Sequence, residues 1–585
     1  MKNQSENIHS PKLTPYERNA SDPDENIRII GSGSIGGKAQ GLVLLQHLLS
    51  TYNPSQHFPQ TKIIVPDLVV IGTDVFDAFL EKNGLDRYID SEDTDDQLAH
   101  AFQQAELPFF ILGDLRALVE EIRNPIAVRS SSLLEDATYE PFAGIYTTKM
   151  IPNQQFDPDF RFRKLAEAIK FVYASTFFKA AKSYRDATGH DHREEKMALI
   201  IQRVHGSRHH LRFYPELSGV VRSYNFYPVG RAKPEDGVVS LALGLGKTIV
   251  DGGRSWTYSP AHPRIAPPYG STKELLDNSQ REFWAVNMGT PLIYDPVRET
   301  EYLIKADLSA AETDGTLKEL CSTYDPQGDR LQIGMANPGP RVLNFAPLLQ
   351  LKKIPLNSII QELVHLCEQE LKSPVEIEFA MNFSPPSLGL LQVRPMVVSS
   401  DDIQVSAQDL DHQNALAASE NALGNGLIED IKDIIYVLPE EFELKNTREI
   451  ADELALFNQS LVDKGTPYLL IVFGRLGSSD PWLGIPVNWG QISGSRVIIE
   501  TYQEGFSVDM SQGSHFFHNL TSLGVSYISM PKAGKYQIDW GWLNDQKEVQ
   551  SSRYLRHIEL KSPLGIKIDG KSGRAILLKT RGDHE

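Results

Sequence analysis

The segment at residues 126–148, IAVRSSSLLEDATYEPFAGIYTT, joins a short apolar strand to a cluster of charged and hydroxyl side chains. Arg129 is followed by three serines and then by the acidic pair Glu135 and Asp136. A guanidinium is a planar fork of donors that matches the oxygens of a phosphate group, whereas carboxylates attract metal ions. The segment therefore indicates a site for an anionic, metal-bound ligand, although a solvated polar loop would have the same composition.

A second polar cluster lies near residue 380. Glu376 and Glu378 stand two apart in the apolar stretch VEIEFA, so a strand would place both carboxylates on one face. Two such carboxylates repel each other unless a cation lies between them, and hard cations prefer oxygen ligands. The stretch LLQVRP adds Gln392 and Arg394 on one face of the expected neighbouring strand.

Two glycine-rich stretches resemble nucleotide-binding loops without matching a common fingerprint. GSGSIGG (31–37) has the GxGxxG spacing, but no acidic residue ends a second strand about 20 residues later. GLGKT (244–248) ends like a P-loop, but position 241 is leucine where that loop needs glycine. Glycines still let backbone amides approach an oxyanion, and Lys38 in the first turn of a helix is disfavoured by the helix dipole unless an anion lies nearby.

The bulk composition restricts the class of protein. A chain of 585 residues predicts roughly three or four domains of about 150 residues each. The net charge of −18 argues against a nucleic-acid partner. Two cysteines without a CxxC spacing argue against a disulfide framework and suit a reducing compartment, so we expect a cytoplasmic protein. No apolar run reaches the ~20 residues of a membrane helix, and we expect no membrane partner.

Hydrophobic periodicity predicts an α+β fold. Residues 27–50 indicate strand, glycine loop and helix, residues 61–72 a pair of strands, and residues 356–374 an amphipathic helix before two antiparallel strands. We interpret residues 1–26 as a flexible tail, the polar and acidic residues 401–429 as a linker, and residues 430–585 as a separate α+β unit of unknown role.

Five motifs in order carry a resemblance to a known family. GGKAQGL, AVRSSSLLEDATYEPFAGIYTT, SGVV, GLGKTIVDGG and the pair VEIEFA and LLQVRP span roughly residues 30–397. In this combination the chain resembles the N-terminal AMP/ATP-binding region of pyruvate phosphate dikinase and phosphoenolpyruvate synthase. The resemblance implies an ATP-grasp fold over residues 27–400, built of two lobes that hold ATP and Mg²⁺ between them.

The resemblance also implies roles for individual residues. The nucleotide contacts that it implies are Lys38, Arg129, Gln202, Gly244, Gly246, Gln392 and Arg394, with Gln202 beside the adenine and the glycine loop over the γ-phosphate. It implies Glu376 and Glu378 as ligands of Mg²⁺. The side chains expected to act in catalysis are Arg129, Arg394 and Lys247.

The chain departs from the family's pattern in two respects. Lys247 stands after GLG, where the family usually has an acidic residue. Neither the swivelling phosphohistidine motif nor a pyruvate-binding barrel of about 250 residues is recognisable. Within the C-terminal unit, Gly513-Ser514-His515 faintly resembles the phosphohistidine motif, but a core helix with a hydrogen-bonded His515 is the preferred interpretation, and a metal pair of His515 with His518 lacks a third ligand.

These observations predict an ATP-dependent phosphotransferase of the dikinase type. The acceptor would be a histidine of this chain, a small molecule, or a separate phosphohistidine carrier protein. The alternative is an ATP-binding sensor that has lost its chemistry, for which the missing domains and Lys247 argue. An amide-forming ligase on the same fold is less favoured, because the motifs are those of the dikinase subfamily.

Overall fold

The computed structural model describes residues 13–18, 26–135, 144–188, 190–226, 228, 231–265, 272–291, 293–396, 403–478, 482–502, 525–530, 534–570 and 572–579. The predicted α+β class is confirmed, since these residues form helices and seven sheets. The helices are α1 (Gly36–Tyr52), α2 (Thr73–Asn83), α3 (Asp95–Gln104), α4 (Phe109–Glu121), α5 (Pro158–Ser175), α6 (Lys179–Thr188), α7 (Lys247–Val250), α8 (Thr272–Asn278), α9 (Leu308–Thr313), α10 (Ala346–Leu351), α11 (Leu356–Leu371), α12 (Thr447–Val462) and α13 (Trp540–Asn544).

The first sheet has the strand order β1-β2-β4-β7-β5-β6. Its strands are β1 (Thr14–Pro15), β2 (Ile27–Ile30), β4 (Leu68–Ile71), β5 (Ile126–Ser132), β6 (Thr148–Ile151) and β7 (Met197–Arg203). One face packs under the apolar sides of α2 to α5, which supply Phe76, Phe79, Phe102 and Leu115 to the core. The other face packs against α1, because alternate strand residues such as Val70 point the opposite way.

The second sheet has the order β12-β11-β10-β18-β19-β3. Its strands are β3 (Lys62–Ile64), β10 (Leu217–Arg222), β11 (Val238–Ala242), β12 (Trp256–Tyr258), β18 (Val375–Phe383) and β19 (Pro386–Pro395). The predicted antiparallel pairing of the last two strands is confirmed, and its register sets Glu376 opposite Arg394 and Glu378 opposite Gln392. The expected pairing of the two strands within residues 61–72 is wrong, since β3 joins β19 whereas β4 joins β2 and β7.

Two smaller sheets flank the second one. The first of them, in the order β14-β13-β9-β8, contains β8 (Ser207–His209), β9 (Arg212–Tyr214), β13 (Glu282–Asn287) and β14 (Leu303–Asp307). The other is built from β15 (Cys321–Asp325), β16 (Arg330–Ile333) and β17 (Arg341–Leu343).

Both cysteines, Cys321 and Cys367, are buried as free thiols, and burial raises the pKa of each.

The remaining strands build the C-terminal unit. They are β20 (Ala415–Ser419), β21 (Ala422–Leu423), β22 (Gly426–Ile428), β23 (Asp433–Val437), β24 (Tyr468–Phe473), β25 (Arg475–Leu476), β26 (Gly484–Ile485), β27 (Ser495–Thr501), β28 (Ser526–Met530), β29 (Glu548–Ser551), β30 (Leu555–Glu559), β31 (Gly565–Asp569) and β32 (Arg574–Leu578). A seven-stranded sheet in the order β21-β28-β27-β24-β23-β30-β29 has four parallel strands at its centre, β28, β27, β24 and β23.

Two segments that we expected to be irregular contribute to sheets. Within the presumed tail, Thr14 and Pro15 pair in parallel with Arg28 and Ile29. Within the presumed linker, β20 pairs with β32, β21 with β28 and β22 with β31. The polar composition of residues 401–429 hid these strands, because each of them is only two to five residues long.

The C-terminal unit shares a hydrophobic core with the first sheet. Apolar side chains of β23, β24 and α12 belong to the same continuous cluster as the residues of α2 to α5. Because such a cluster excludes water from both parts at once, the two units are packed together and not merely tethered.

Candidate functional site

A cavity of about 270 Å³ lies between the first and second sheets. The predicted site residues that line it are Lys38, Arg129, Gln202, Gly246, Lys247, Glu378, Gln392 and Arg394. Among the described lining residues, five cations (Lys38, Arg129, Arg203, Lys247 and Arg394) stand beside four carboxylates (Glu135, Asp251, Glu299 and Glu378). A slight excess of positive charge in a protein of net charge −18 favours an anionic ligand at this place.

Lys38 enters the cavity because α1 begins directly against the end of β5. Gly36 has a φ of +73°, and a Cβ at that position would overlap the Ser131 carbonyl, so the glycine permits the close approach. The Ser131 hydroxyl then accepts from the Ala39 amide at 2.9 Å and donates to the Ile35 carbonyl at 2.7 Å. The start of the helix is therefore fixed to the motif that contains Arg129.

Glu135 is the partner of Lys38 within the protein. The Lys38 ammonium lies 2.6 Å from a carboxylate oxygen of Glu135, whose side chain is 2% exposed. The Ser130 hydroxyl and the Ser132 amide donate to the same carboxylate at 2.9 and 3.1 Å. A carboxylate of the same motif thus compensates the lysine in the first helical turn, which we had attributed to a bound anion alone.

Arg129 connects the two sheets across the cavity. Its Nη1 atom donates to the amide oxygen of Gln202 at 3.1 Å and to the Leu391 carbonyl at 2.6 Å. Its Nη2 atom donates to the amide oxygen of Gln392 at 2.9 Å and lies 3.7 Å from a carboxylate oxygen of Glu378. Residues that are more than 260 positions apart in the chain therefore meet at one guanidinium.

The two predicted metal ligands occupy different surroundings. Glu378 lines the cavity. Glu376 is not among the lining residues, and its two carboxylate oxygens are held by Arg222 on β10 and by Arg394 on β19. Such a cage of two guanidiniums fixes Arg394 at the cavity wall, because a buried charge must remain paired.

The glycine loop before α7 is divided between the cavity and the adjoining sheet. Gly246 lines the cavity, whereas Gly244 packs on β13 with a φ of +83°, and a Cβ there would lie 2.7 Å from the Trp284 carbonyl. The Ser218 hydroxyl donates to the Gly244 carbonyl at 2.6 Å, and the Leu245 amide donates to the Trp284 carbonyl at 2.9 Å. In the described structure these hydrogen bonds therefore hold the loop against β10 and β13.

Lys247, the first residue of α7, lies between two carboxylates. Its ammonium is 3.0 Å from Asp251 and 3.4 Å from Glu299. Burial alone would lower the pKa of Lys247, but the two carboxylates outweigh it and raise that pKa. The residue is therefore charged at neutral pH, and it adds a cation to the lining of the cavity.

One part of the cavity wall is mainly apolar. Five side chains form it, three from strands, one from the residue after β7 and one from the glycine loop, namely Ala127, Met150, Leu303, Val204 and Leu245. Gln202 borders this wall, and its amide nitrogen has no hydrogen-bond partner among the described residues. Burial lowers the pKa of the neighbouring His205, whose ring contacts the Ser387 carbonyl at 3.1 Å. An apolar surface with a free amide donor suits an aromatic base.

Three carboxylates of the cavity are not among the residues to which the family resemblance assigns a role. Glu135 was visible in the arginine and serine motif, but its pairing with Lys38 needs the contact between α1 and β5. The pairing of Asp251 could be predicted from the sequence, because Asp251 lies four residues after Lys247 and so on the same face of a helical turn. Glu299 has none, since the loop that carries it precedes β14 without any motif.

Some predicted residues lie outside the described part of the chain. His515 and His518 fall within residues 503–524, and Asp136 within residues 136–143. In the described residues no group of three or more histidine, cysteine, aspartate or glutamate side chains has the arrangement of a metal site. None of the described helices is long and apolar enough to cross a membrane.

Comparison with known proteins gives a family match and several partial relatives. The family model described as "Pyruvate phosphate dikinase, AMP/ATP-binding domain" matches residues 32–415. The chain is 28% identical over 292 residues to a phosphoenolpyruvate synthase of Aeropyrum pernix. This alignment covers 48% of the chain and 29% of that relative. It is 31% identical over 188 residues to an uncharacterised phosphotransferase of Bacillus subtilis, covering 32% of the chain and 20% of the relative.

A further relative is a phosphoenolpyruvate synthase of Escherichia coli, 31% identical over 210 residues, covering 32% of the chain and 24% of the relative. Each of these three alignments spans less than a third of the relative's own length.

Proposed function

Because the chain belongs to the family of the pyruvate phosphate dikinase AMP/ATP-binding domain, we propose that it is a phosphotransferase that uses ATP bound between the first and second sheets. The observation that carries this proposal is the position of Arg129, which joins Gln202, Gln392 and Glu378 in one cavity. An arginine at this junction can neutralise phosphate oxygens while the apolar wall receives the base.

The charged end of the cavity would hold the triphosphate. Lys38, Arg129, Lys247 and Arg394 reach it from α1, β5, α7 and β19, so their charges converge from different directions. Phosphoryl transfer depends mostly on positioning and on neutralising charge, and four converging cations supply both. In this proposal Lys38 exchanges Glu135 for a phosphate, and Gln202 donates its amide hydrogen to the adenine.

Glu378 and Gln392 are the proposed ligands of Mg²⁺. They are paired across β18 and β19, and both line the cavity. A carboxylate and an amide oxygen suit Mg²⁺, which commonly takes one or two protein oxygens and completes its shell with water and phosphates. When bound, the metal would neutralise phosphate charge. Glu376 has a separate proposed role, which is to hold Arg394 in place.

The experiment that tests this function is incubation with ATP labelled in its β- or γ-phosphate. We expect conversion of ATP to AMP or ADP, and transfer of label to a histidine of this chain, a small molecule or an added phosphohistidine carrier protein. Lys38→Met should abolish the conversion, whereas Lys318→Met, at an exposed position of the same unit, should not. ATP that stays intact with every acceptor offered would contradict the proposal.

An ATP-binding module without turnover is the second candidate. The observation that favours it is Lys247, whose ammonium lies between Asp251 and Glu299. An acidic residue at this position would allow further metal binding, whereas a lysine does not. Calorimetry would then detect ATP binding, and the nucleotide would be recovered unchanged after long incubation. Turnover that Glu378→Gln removes would exclude this candidate.

A further inference from the structure

The C-terminal unit contacts the nucleotide cavity's glycine-rich segment through one buried arginine. Arg475 is the first residue of β25 and lies two residues after the end of β24, at the carboxyl end of the parallel strands. Its Nη1 atom donates to the Gly252 carbonyl at 2.7 Å and to the Gly253 carbonyl at 3.2 Å. A residue from the last third of the chain thereby holds the turn that ends α7.

The position of Arg475 is fixed by its own surroundings. Its amide donates to the Leu483 carbonyl at 3.0 Å, and β25 pairs in parallel with β26. A Cβ at Gly484 would overlap the backbone of Arg475, so the glycine allows the two short strands to meet. The Glu500 carboxylate, which accepts a hydrogen bond from the Tyr527 hydroxyl, interacts electrostatically with the arginine.

The turn that Arg475 holds follows α7, whose first residue, Lys247, lines the cavity. The Gly252 amide donates to the Ile249 carbonyl at 3.0 Å, and the Gly253 amide donates to the Thr248 carbonyl at 2.8 Å. These bonds close the four-residue helix α7, whose first residue is Lys247. A cation at the carbonyl end of a helical turn is favourable, and here it also limits the ways in which α7 can move.

We propose that Arg475 is a positioning residue for the phosphate end of the nucleotide site. By holding the Gly252 and Gly253 carbonyls it fixes α7, so that Lys247 is presented to the phosphates. The C-terminal unit is then a structural part of the ATP site and not an independent appendage. This inference rests on the proposed function for its ligand, whereas the contact itself is a property of the chain.

The test compares Arg475→Met and Arg475→Lys with Arg496→Met, a control at an exposed arginine of the neighbouring strand β27. Calorimetry measures binding of ATP and of adenosine to the full-length chain. We expect Arg475→Met to weaken ATP binding about tenfold, because a loosened α7 would lose the charge-assisted contact of Lys247 with a phosphate. Adenosine binding should stay unchanged, because adenosine lacks phosphates, and Arg475→Lys should restore part of the ATP affinity.

Amide hydrogen exchange tests the contact without any nucleotide. We expect faster exchange at residues 247–253 in Arg475→Met than in the unsubstituted chain or in Arg496→Met. Unchanged exchange in that segment, or an equal loss of ATP and adenosine affinity, would overturn the inference. If the unsubstituted chain binds no ATP, the proposed function fails, and the exchange measurement still decides whether Arg475 fixes α7.

Discussion

Glu376 and Glu378 lie two residues apart on one strand, yet the protein surrounds their carboxylates differently. Two arginines hold Glu376, whose side chain is 2% exposed. Glu378 is 15% exposed, lines the cavity and lies 3.7 Å from Arg129. A carboxylate inside a cage of guanidiniums serves the fold, whereas a carboxylate at a cavity wall can still bind a ligand. The distinction is physical, because it depends on what compensates each charge.

The largest effect that separates the two glutamates should be on stability. Glu376→Gln removes the charge between Arg222 and Arg394, and breaking a buried ion pair costs about 3–5 kcal/mol. We expect urea denaturation followed by tryptophan fluorescence to show a loss of this size. Glu370→Gln, at an exposed position on α11, is the matched control and should change the unfolding free energy by less than about 0.5 kcal/mol. Equal stability of the two variants would remove the contrast.

The converse substitution should affect activity instead. Glu378→Gln keeps the shape of the side chain and removes the charge proposed to bind Mg²⁺, so we expect turnover to fall by about 10²–10³-fold. The unfolding free energy should change by less than about 1 kcal/mol, since Arg129 retains Gln202, Leu391 and Gln392 as partners. A loss of stability as large as that of Glu376→Gln, with turnover preserved, would reverse our assignment of the two residues.

How much of this contrast the sequence could predict depends on the range of the contacts. The α+β class, the strands at 375–383 and 386–395 and their antiparallel pairing follow from local patterns. The motifs predicted eight residues that line one cavity. Alternation along the strand, however, treats Glu376 and Glu378 as equivalent. Arg222, which distinguishes them, lies 154 residues earlier in an apolar strand and has no motif of its own.

The same limit explains the expectations about the rest of the fold. The strands at 62–64 and 68–71 look like a pair, but the chain passes from one sheet to the other between them. Residues 415–428 look like a linker because their strands are only two to five residues long and lie among polar residues, and pairing with β28, β31 and β32 orders them. Local composition cannot show a partner strand that lies more than 100 residues away.

A third glutamate tests whether compensation or burial alone matters. Glu500 is buried, and desolvation raises its pKa from 4.5 to about 7. Because the folded state holds this proton more tightly, the contribution of Glu500 to stability is fully present below pH 4.5 and is lost as the pH rises through about 7. The folded and unfolded pKa values of Glu500 differ by roughly 2.5, which corresponds to about 3 kcal/mol of unfolding free energy.

Urea denaturation across this pH range measures that fall directly. Glu500→Gln should flatten the profile, whereas Glu559→Gln, at an exposed position on β30, should leave it unchanged. A profile that is identical in both variants would show that Arg475 and Tyr527 compensate the Glu500 charge as fully as the arginines compensate Glu376.

The smallest effect on stability is expected at Lys247, which shares features of both glutamates. Like Glu376 it is paired on two sides, but Asp251 and Glu299 are 25% and 35% exposed, so water screens the pairing. Partly exposed ion pairs contribute about 0.2–1 kcal/mol, and we expect Lys247→Met to lower the unfolding free energy by no more than that.

Like Glu378, Lys247 lines the cavity, and the same substitution should weaken ATP binding about tenfold in calorimetry. Lys318→Met, at an exposed position after α9, is the control that should change neither quantity. Unaltered ATP affinity in Lys247→Met would place Lys247 with Glu376, among the charges that serve the fold alone.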